Sequence, residues 1–235
     1  MLKVLQTRQQ IDAARHVMTS KSISLIETFG AKLARKTGLS RHLPVGDQIK
    51  SWDVMATIDH IDKHMGKDGC ILDIGAYCSE LPVALSMLGY KNVHAIDLNA
   101  NIRNMPRNDQ VRYEVGNFLS TPYDAQKFDA VTAISVIEHG YQPEKLFAEV
   151  SRILKPGGSF MASFDYWPQK INTGDTQFFG MSWLIFSQQD VDAMIKSAST
   201  YGLVPVGELA FASQDRPIHC LGFDYTFAWM VWRKS

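Results

Sequence analysis

The sequence predicts an α/β fold, an open and mostly parallel sheet of seven strands with helices on both faces, preceded by N-terminal helices. Three observations carry this reading. From Cys70 onward, short β-compatible runs alternate with helical segments. One of those segments, PEKLFAEVSRIL, sets Leu146, Phe147, Val150, Ile153 and Leu154 on a single stripe between Pro143 and the stop Pro156-Gly157-Gly158. And 46% of the 235 residues are apolar, enough for a sizeable core.

Taken in order, residues 1–50 read as helical and polar. Ile23, Ile26, Leu33 and Ala34 recur at rough helical spacing until Pro44 and Gly46 break the pattern. KSWDVMATIDHIDKHMG reads as a second helix ending at Gly66. CILDIG is the first strand of the sheet, stopped by Gly75, and SELPVALSMLGY the helix after it, with Pro82 tolerable in its first turn. NVHAIDL, VRYEV, FDAVTAISVI and GSFMASF follow as strands. The segment beyond them is rich in aromatic residues. SQQDVDAMIKSASTYG opens with Ser187 three residues before Asp190, a capping-box pattern. LVPVGEL and FDYTFAWMVW are the last strands. The organisation expected is a helical extension over 1–66 packed on a domain over 67–235, with an aromatic-rich insertion at about 166–186.

Charge and cysteine content narrow the function. Lys plus Arg equals Asp plus Glu at 24 each, so there is no basic excess and nucleic acid is not an expected partner. The three cysteines form no C-x-x-C pair, which argues against a zinc knuckle or a disulfide framework and for a reducing compartment. The polar N-terminus has no signal-peptide core, and no apolar run is long enough to span a bilayer. A soluble, cytoplasmic protein without a membrane partner is expected; its oligomeric state is open. His60 and His64, four apart on a helix, have metal-ligand spacing, but Asp59, Asp62 and Lys63 make that face simply polar and no third ligand is evident, so no metal is expected.

In such a sheet ligands bind beyond the carboxyl ends of the strands. The residues there are Asp73 to Tyr77, Asp97-Leu98, Gly116 to Phe118, Ser135 to His139, and Asp165 to Trp167. Gly75 lets the backbone turn sharply against a ligand. Asp97, at the end of the second strand and about 20 residues beyond the loop, can accept hydrogen bonds from two ribose hydroxyls. Asn117 offers an amide to an adenine edge, or else forms an Asx-turn after Gly116. Phe118 offers a flat apolar surface. Phe178, Phe179, Trp183 and Phe186 either line an acceptor pocket or form a satellite core under a long loop.

LDIGAYCSE resembles the first motif of class I methyltransferases and AIDLN the second; FDAVTAISVIEHG followed by PEKLFAEVSRILKPGGSF resembles the fourth strand and next helix of their small-molecule, type 11-like branch. The resemblance spans roughly residues 68–165 and implies a Rossmann-like fold with S-adenosyl-L-methionine as cofactor, held by Asp73, Gly75, Ala76, Tyr77, Asp97, Leu98, Asn117, Phe118 and Ser135. Two departures stand out. Tyr77 and Ser79 replace two of the three alternate glycines of the first motif, and Asn117 replaces the usual acidic residue. The lost glycines also count against a nicotinamide dinucleotide, whose pyrophosphate needs close backbone approach. KSWDV and DYW resemble a bacterial subgroup linked to saccharide or cell-surface metabolism, which puts Trp52, Tyr166 and Trp167 at the acceptor together with Trp183 of the aromatic segment.

The activity implied is methyl transfer to an oxygen or nitrogen of a small molecule, a saccharide or a cell-surface or secondary metabolite. A hydroxyl acceptor needs a proton acceptor. His139 follows the fourth strand and titrates near neutrality when unperturbed; Asp165, at the end of the fifth, competes for the role. The rival readings are a cofactor-binding protein without catalysis and a nicotinamide-dependent oxidoreductase.

Overall fold

A computed structural model describes residues 1–26 and 45–235. The helical periodicity read through Leu33, Ala34 and the Pro44 break falls outside the described residues.

The N-terminal segment departs from the helical expectation. Leu2–Val4 form a strand, β1, whose Leu-Lys-Val alternation buries Leu2 and Val4 and exposes Lys3. Helix α1 follows at Arg8–Ser20, and residues 23–26 are irregular. Helix α2 spans Ser51–His64. The alternating region comprises β2 (Cys70–Ile74), α3 (Leu81–Met87), β3 (Asn92–Asp97), β4 (Val111–Val115), β5 (Phe128–Ile134), α4 (Pro143–Ile153) and β6 (Leu154–Tyr166). A short hairpin, β7 (Gln177–Phe178) and β8 (Met181–Ser182), precedes α5 (Gln188–Thr200); β9 (Leu203–Pro205), β10 (Ile218–Cys220) and β11 (Phe223–Lys234) complete the described chain. The Ser187/Asp190 capping box is present at the start of α5.

The main sheet runs β4–β3–β2–β5–β6–β11, parallel from β4 to β6, with β11 antiparallel beside β6. β11 is long enough for β1 to pair at Val4–Ala228 while β9 pairs at Leu203–Lys234, and β10 folds back on its start. Among the described residues the sheet therefore has nine strands, because β1 and β10 join the seven expected. β6 also begins earlier than expected. The chain extends directly at Leu154, and Lys155–Gly158 are absorbed in a register shift against β5.

Strand alternation splits the core in two. Leu72, Val131, Phe160, Ala162, Phe164 and Trp232 face α4 and α5, which contribute Phe147, Val150, Val191 and Met194. Ile71, Val93, Ala95, Met161 and Trp229 face the other side, covered by Val54 and Ile58 of α2, Leu81 and Leu85 of α3, and Met18 of α1. With helices on both faces, the parallel strands are buried and deliver their carboxyl ends to one open edge.

Candidate active site

A cavity of about 740 Å³ opens at that edge, within the size range of small-molecule sites, roughly 300–1,000 Å³. One end is built from the β2–α3 loop. Gly75 has φ +65°, and a Cβ there would fall 2.5 Å from Val136 Cγ2, so only glycine lets this loop close against the β5 loop. The Tyr77 N–H donates to Asp97 Oδ2 at 3.0 Å and the Asn99 N–H to Oδ1 at 2.7 Å. Asp97 thus ties two loops together at the cavity wall, with Leu98 exposed beside it and Phe118 opposite.

The loop rests on buried polar supports. Asp73 receives Ser79 Oγ at 2.8 Å and Thr132 Oγ1 at 2.7 Å. Burial raises its pKa to about 7, against the pull of those two bonds. Ser79 therefore pins the loop to β2. Behind it, Glu80 accepts both Arg15 guanidinium nitrogens at 2.8 Å, and Ser51 accepts Arg15 Nε at 2.9 Å. α1 and α2 are thereby locked onto the loop.

The other end of the cavity is deeper. The backbone of Glu138–Gly140 is zipped to the β8 region: Leu184 N–H donates to Glu138 O at 3.0 Å and Gly140 N–H to Ser182 O at 2.8 Å. This sets Glu138 and His139 on the wall with Asp165, facing Phe178, Phe179, Tyr225 and Phe227. Glu138 Oε2, Asp165 Oδ1, Ser135 Oγ and His139 Nδ1 are all buried without a hydrogen-bond partner among the described residues. The other Asp165 oxygen accepts Trp183 Nε1 at 2.7 Å. Burial raises the Asp165 pKa to about 6, opposed by Lys50 and by hydrogen bonding from Trp183 and Tyr225; burial and then the Asp165 charge push Glu138 well above its ordinary range. Burial, with Lys50 adding, lowers His139 to about 4, so its imidazole is neutral at pH 7 and a weak base. Lys50 sits 4.6 Å over the Phe227 ring.

Of the residues singled out in the sequence, Gly75, Tyr77, Asp97, Leu98, Phe118, Ser135, His139 and Asp165 share this wall. Asp73 and Ala76 are buried just behind it. Asn117 lies outside it, its Oδ1 taken by the Leu119 N–H at 2.9 Å in an Asx-turn. The four aromatic residues expected at an acceptor are also off the wall. Trp52 packs between α2 and the sheet; Tyr166 donates to Phe211 O at 2.9 Å; Trp167 lies under Arg216, whose guanidinium carbon is 4.1 Å from the ring centroid; and Trp183 is buried behind Asp165. Each fills core left by the sheet's edge, which large rings do more readily than they face a cleft. The aromatic cluster splits: Phe178 and Phe179 line the cavity, Trp183 and Phe186 the core. His60 and His64 stack at 4.2 Å, with His64 Nδ1 2.8 Å from His60 O.

Sequence reasoning passed over Lys50, Tyr225 and Phe227 and gave Glu138 no role. Glu138 stood beside His139 in the IEHG run, and the 225/227 alternation marked one face of a strand. Nothing local tied that strand to the cleft, since β11 reaches it only through its antiparallel pairing with β6.

This strand order, with the ligand cleft at the switch between β2 and β5, defines the class I methyltransferase fold. Residues 72–162 match the methyltransferase domain family, whose class I members use S-adenosyl-L-methionine. A sterol 24-C-methyltransferase of Gibberella zeae is 30% identical over 100 residues, covering 38% of this chain and 26% of that protein. A mitochondrial ubiquinone biosynthesis O-methyltransferase of Dictyostelium discoideum is 32% identical over 136 residues, covering 50% of this chain and 41% of that protein. The chain thus spans well under half the length of these relatives. A geranyl diphosphate methyltransferase solved in complex with S-adenosylmethionine shares the fold with a TM-score of 0.53 and 16% identity, over 77% of this chain and 85% of that one.

Proposed function

We propose that this protein transfers the methyl group of S-adenosyl-L-methionine to an oxygen or nitrogen of a small molecule. The observation that carries the reading is a single cavity joining the Gly75 loop and Asp97 at one end to buried, unpartnered polar atoms at the other. The residues present fit the cofactor. Gly75 keeps open a space that a Cβ would fill, and each Asp97 oxygen retains an acceptor position for a ribose hydroxyl. Phe118 offers a face to the base, and Ser135 Oγ is free near the middle of the wall.

When bound, the cofactor supplies a sulfonium methyl that is already activated for displacement. The chain's own residues then have to align the acceptor and exclude water. Phe178, Phe179 and Met181 of the β7–β8 hairpin close one side of the acceptor end, and Ile218 and Phe227 close another. These walls suit an apolar body better than a saccharide, whose hydroxyls would need more polar partners than the site offers.

Calorimetric titration tests the reading: S-adenosylhomocysteine should bind with micromolar affinity or better, about −8 kcal/mol, and NAD should give no heat. NAD binding without any response to S-adenosylhomocysteine would replace this reading by the oxidoreductase one.

A further inference from the structure

Two buried carboxyl groups at the acceptor end each leave one oxygen without a partner among the described residues. Glu138 is 1% exposed and Asp165 4%, yet Glu138 Oε2 and Asp165 Oδ1 accept nothing. A buried acceptor left without a donor is costly, and these two lie where a molecule in the cavity can satisfy them. Both groups line the same cavity.

The surrounding charges decide what that ligand is. Lys50 and Asp53 face the pair from the helical side, His139 stands next to Glu138, and Tyr225 and Cys220 face Asp165 from the terminal hairpin. Burial raises both carboxyls above their ordinary range, and the Asp165 charge raises Glu138 further, so the pair holds a proton more readily than two free carboxyls would. The negative charge it keeps faces Lys50, which also occupies the cation position over Phe227. A cationic amine would enter beside that lysine and a sulfonium, so a neutral acceptor is favoured. Among neutral acceptors, phenols and enols are far more acidic than aliphatic alcohols, so a carboxylate raised above its ordinary range by burial takes their proton the more readily. The flanking rings of Phe178, Phe179 and Phe227 match a planar body.

Resting on the methyltransferase reading above, we propose that the Glu138–Asp165 pair is the proton acceptor of the site and that the substrate is a phenolic or enolic hydroxyl on a planar apolar molecule. The hydroxyl proton passes to the Asp165 carboxylate. The oxygen forms a bond to the methyl carbon while the carbon–sulfur bond breaks, its electron pair staying on sulfur. Methylated oxygen and S-adenosylhomocysteine leave, and the extra proton returns to water.

The test is a series of substituted phenols from 4-methoxyphenol to 4-nitrophenol, the latter largely ionised in mildly alkaline solution, offered to wild-type protein, E138Q and D165N with S-adenosylmethionine. Wild type should methylate the series. D165N should lose roughly two to four decades of turnover on 4-methoxyphenol and far less on 4-nitrophenol, with S-adenosylhomocysteine affinity within about twofold of wild type. E138Q should fall between them. Equal losses across the series would overturn the proposal, as would methylation of benzylamine in place of phenols. So would a wild type that binds S-adenosylhomocysteine and turns over no phenol, although the methyltransferase reading would stand; absence of S-adenosylhomocysteine binding would instead sink that reading itself. Should the variants not fold, the wild type alone decides: in calorimetry 4-methoxyphenol should bind to the S-adenosylhomocysteine complex and benzylamine should not, and the reverse would refute the proposal.

Discussion

Replacing Asp97 by alanine probes the cofactor end most directly. In the structure each carboxylate oxygen already accepts one backbone N–H, from Tyr77 and from Asn99. A carboxylate offers about four acceptor positions, so one remains on each oxygen for the two ribose hydroxyls. Removing both charge-assisted ribose bonds should cost roughly 2–4 kcal/mol of binding, or about one and a half to three decades in the dissociation constant of S-adenosylhomocysteine. The two lost loop ties are part-exposed and open to water. They should cost about 1–2 kcal/mol of stability, a fall of roughly 2–8 °C in the apo melting temperature. Calorimetry and thermal melts on the same preparation separate the two effects. Asp97→Asn sets an NH2 group against one of the two backbone donors and should lie between wild type and alanine. Unchanged affinity in Asp97→Ala would reduce Asp97 to a loop tie and remove the ribose assignment.

Other expectations follow from the buried polar supports. Arg15→Ala leaves Glu80 buried without its guanidinium and should cost about 3–5 kcal/mol in urea unfolding; Arg15→Met with Glu80→Gln should recover part of it, and no recovery would mean that packing of the Arg15 stem matters more than charge. Asp73 has its folded pKa raised from 3.8 to about 7, so its stabilisation is full below pH 3.8 and is lost as pH rises through 7. That loss amounts to about 4 kcal/mol at most, and Asp73→Asn should flatten stability between pH 4 and 7; an unaltered slope would contradict the assigned protonation. His139 should titrate near 4 by NMR and not near 6.5, and His139→Ala should leave the pH dependence of turnover above pH 5 unchanged; a lost limb near neutrality would restore His139 as the base.

The sequence by itself determined the alternation of strands and helices from Cys70 to Tyr166, since each element there carries its own period and its own stop. It also brought several residues of the cavity wall to one edge of the sheet. Gly75, Tyr77, Asp97, Phe118 and Ser135 all follow parallel strands, and in a parallel sheet every such position reaches the same edge. Local signals do not report non-local pairing, so Leu2–Val4 read as part of a helical region until β11 was seen to supply its ladder. The same limit governed the acceptor end. Tyr225 and Phe227 reach the cleft through the antiparallel pairing of β11 with β6, and Glu138 faces inward because its backbone is zipped to residues 182–184. Conversely, Trp52, Tyr166, Trp167 and Trp183 have the chemistry of a binding wall, but their rings fill core beside it. Which large side chain faces a cavity and which backs it is decided by packing across elements distant in the chain, and only the tertiary structure contains that.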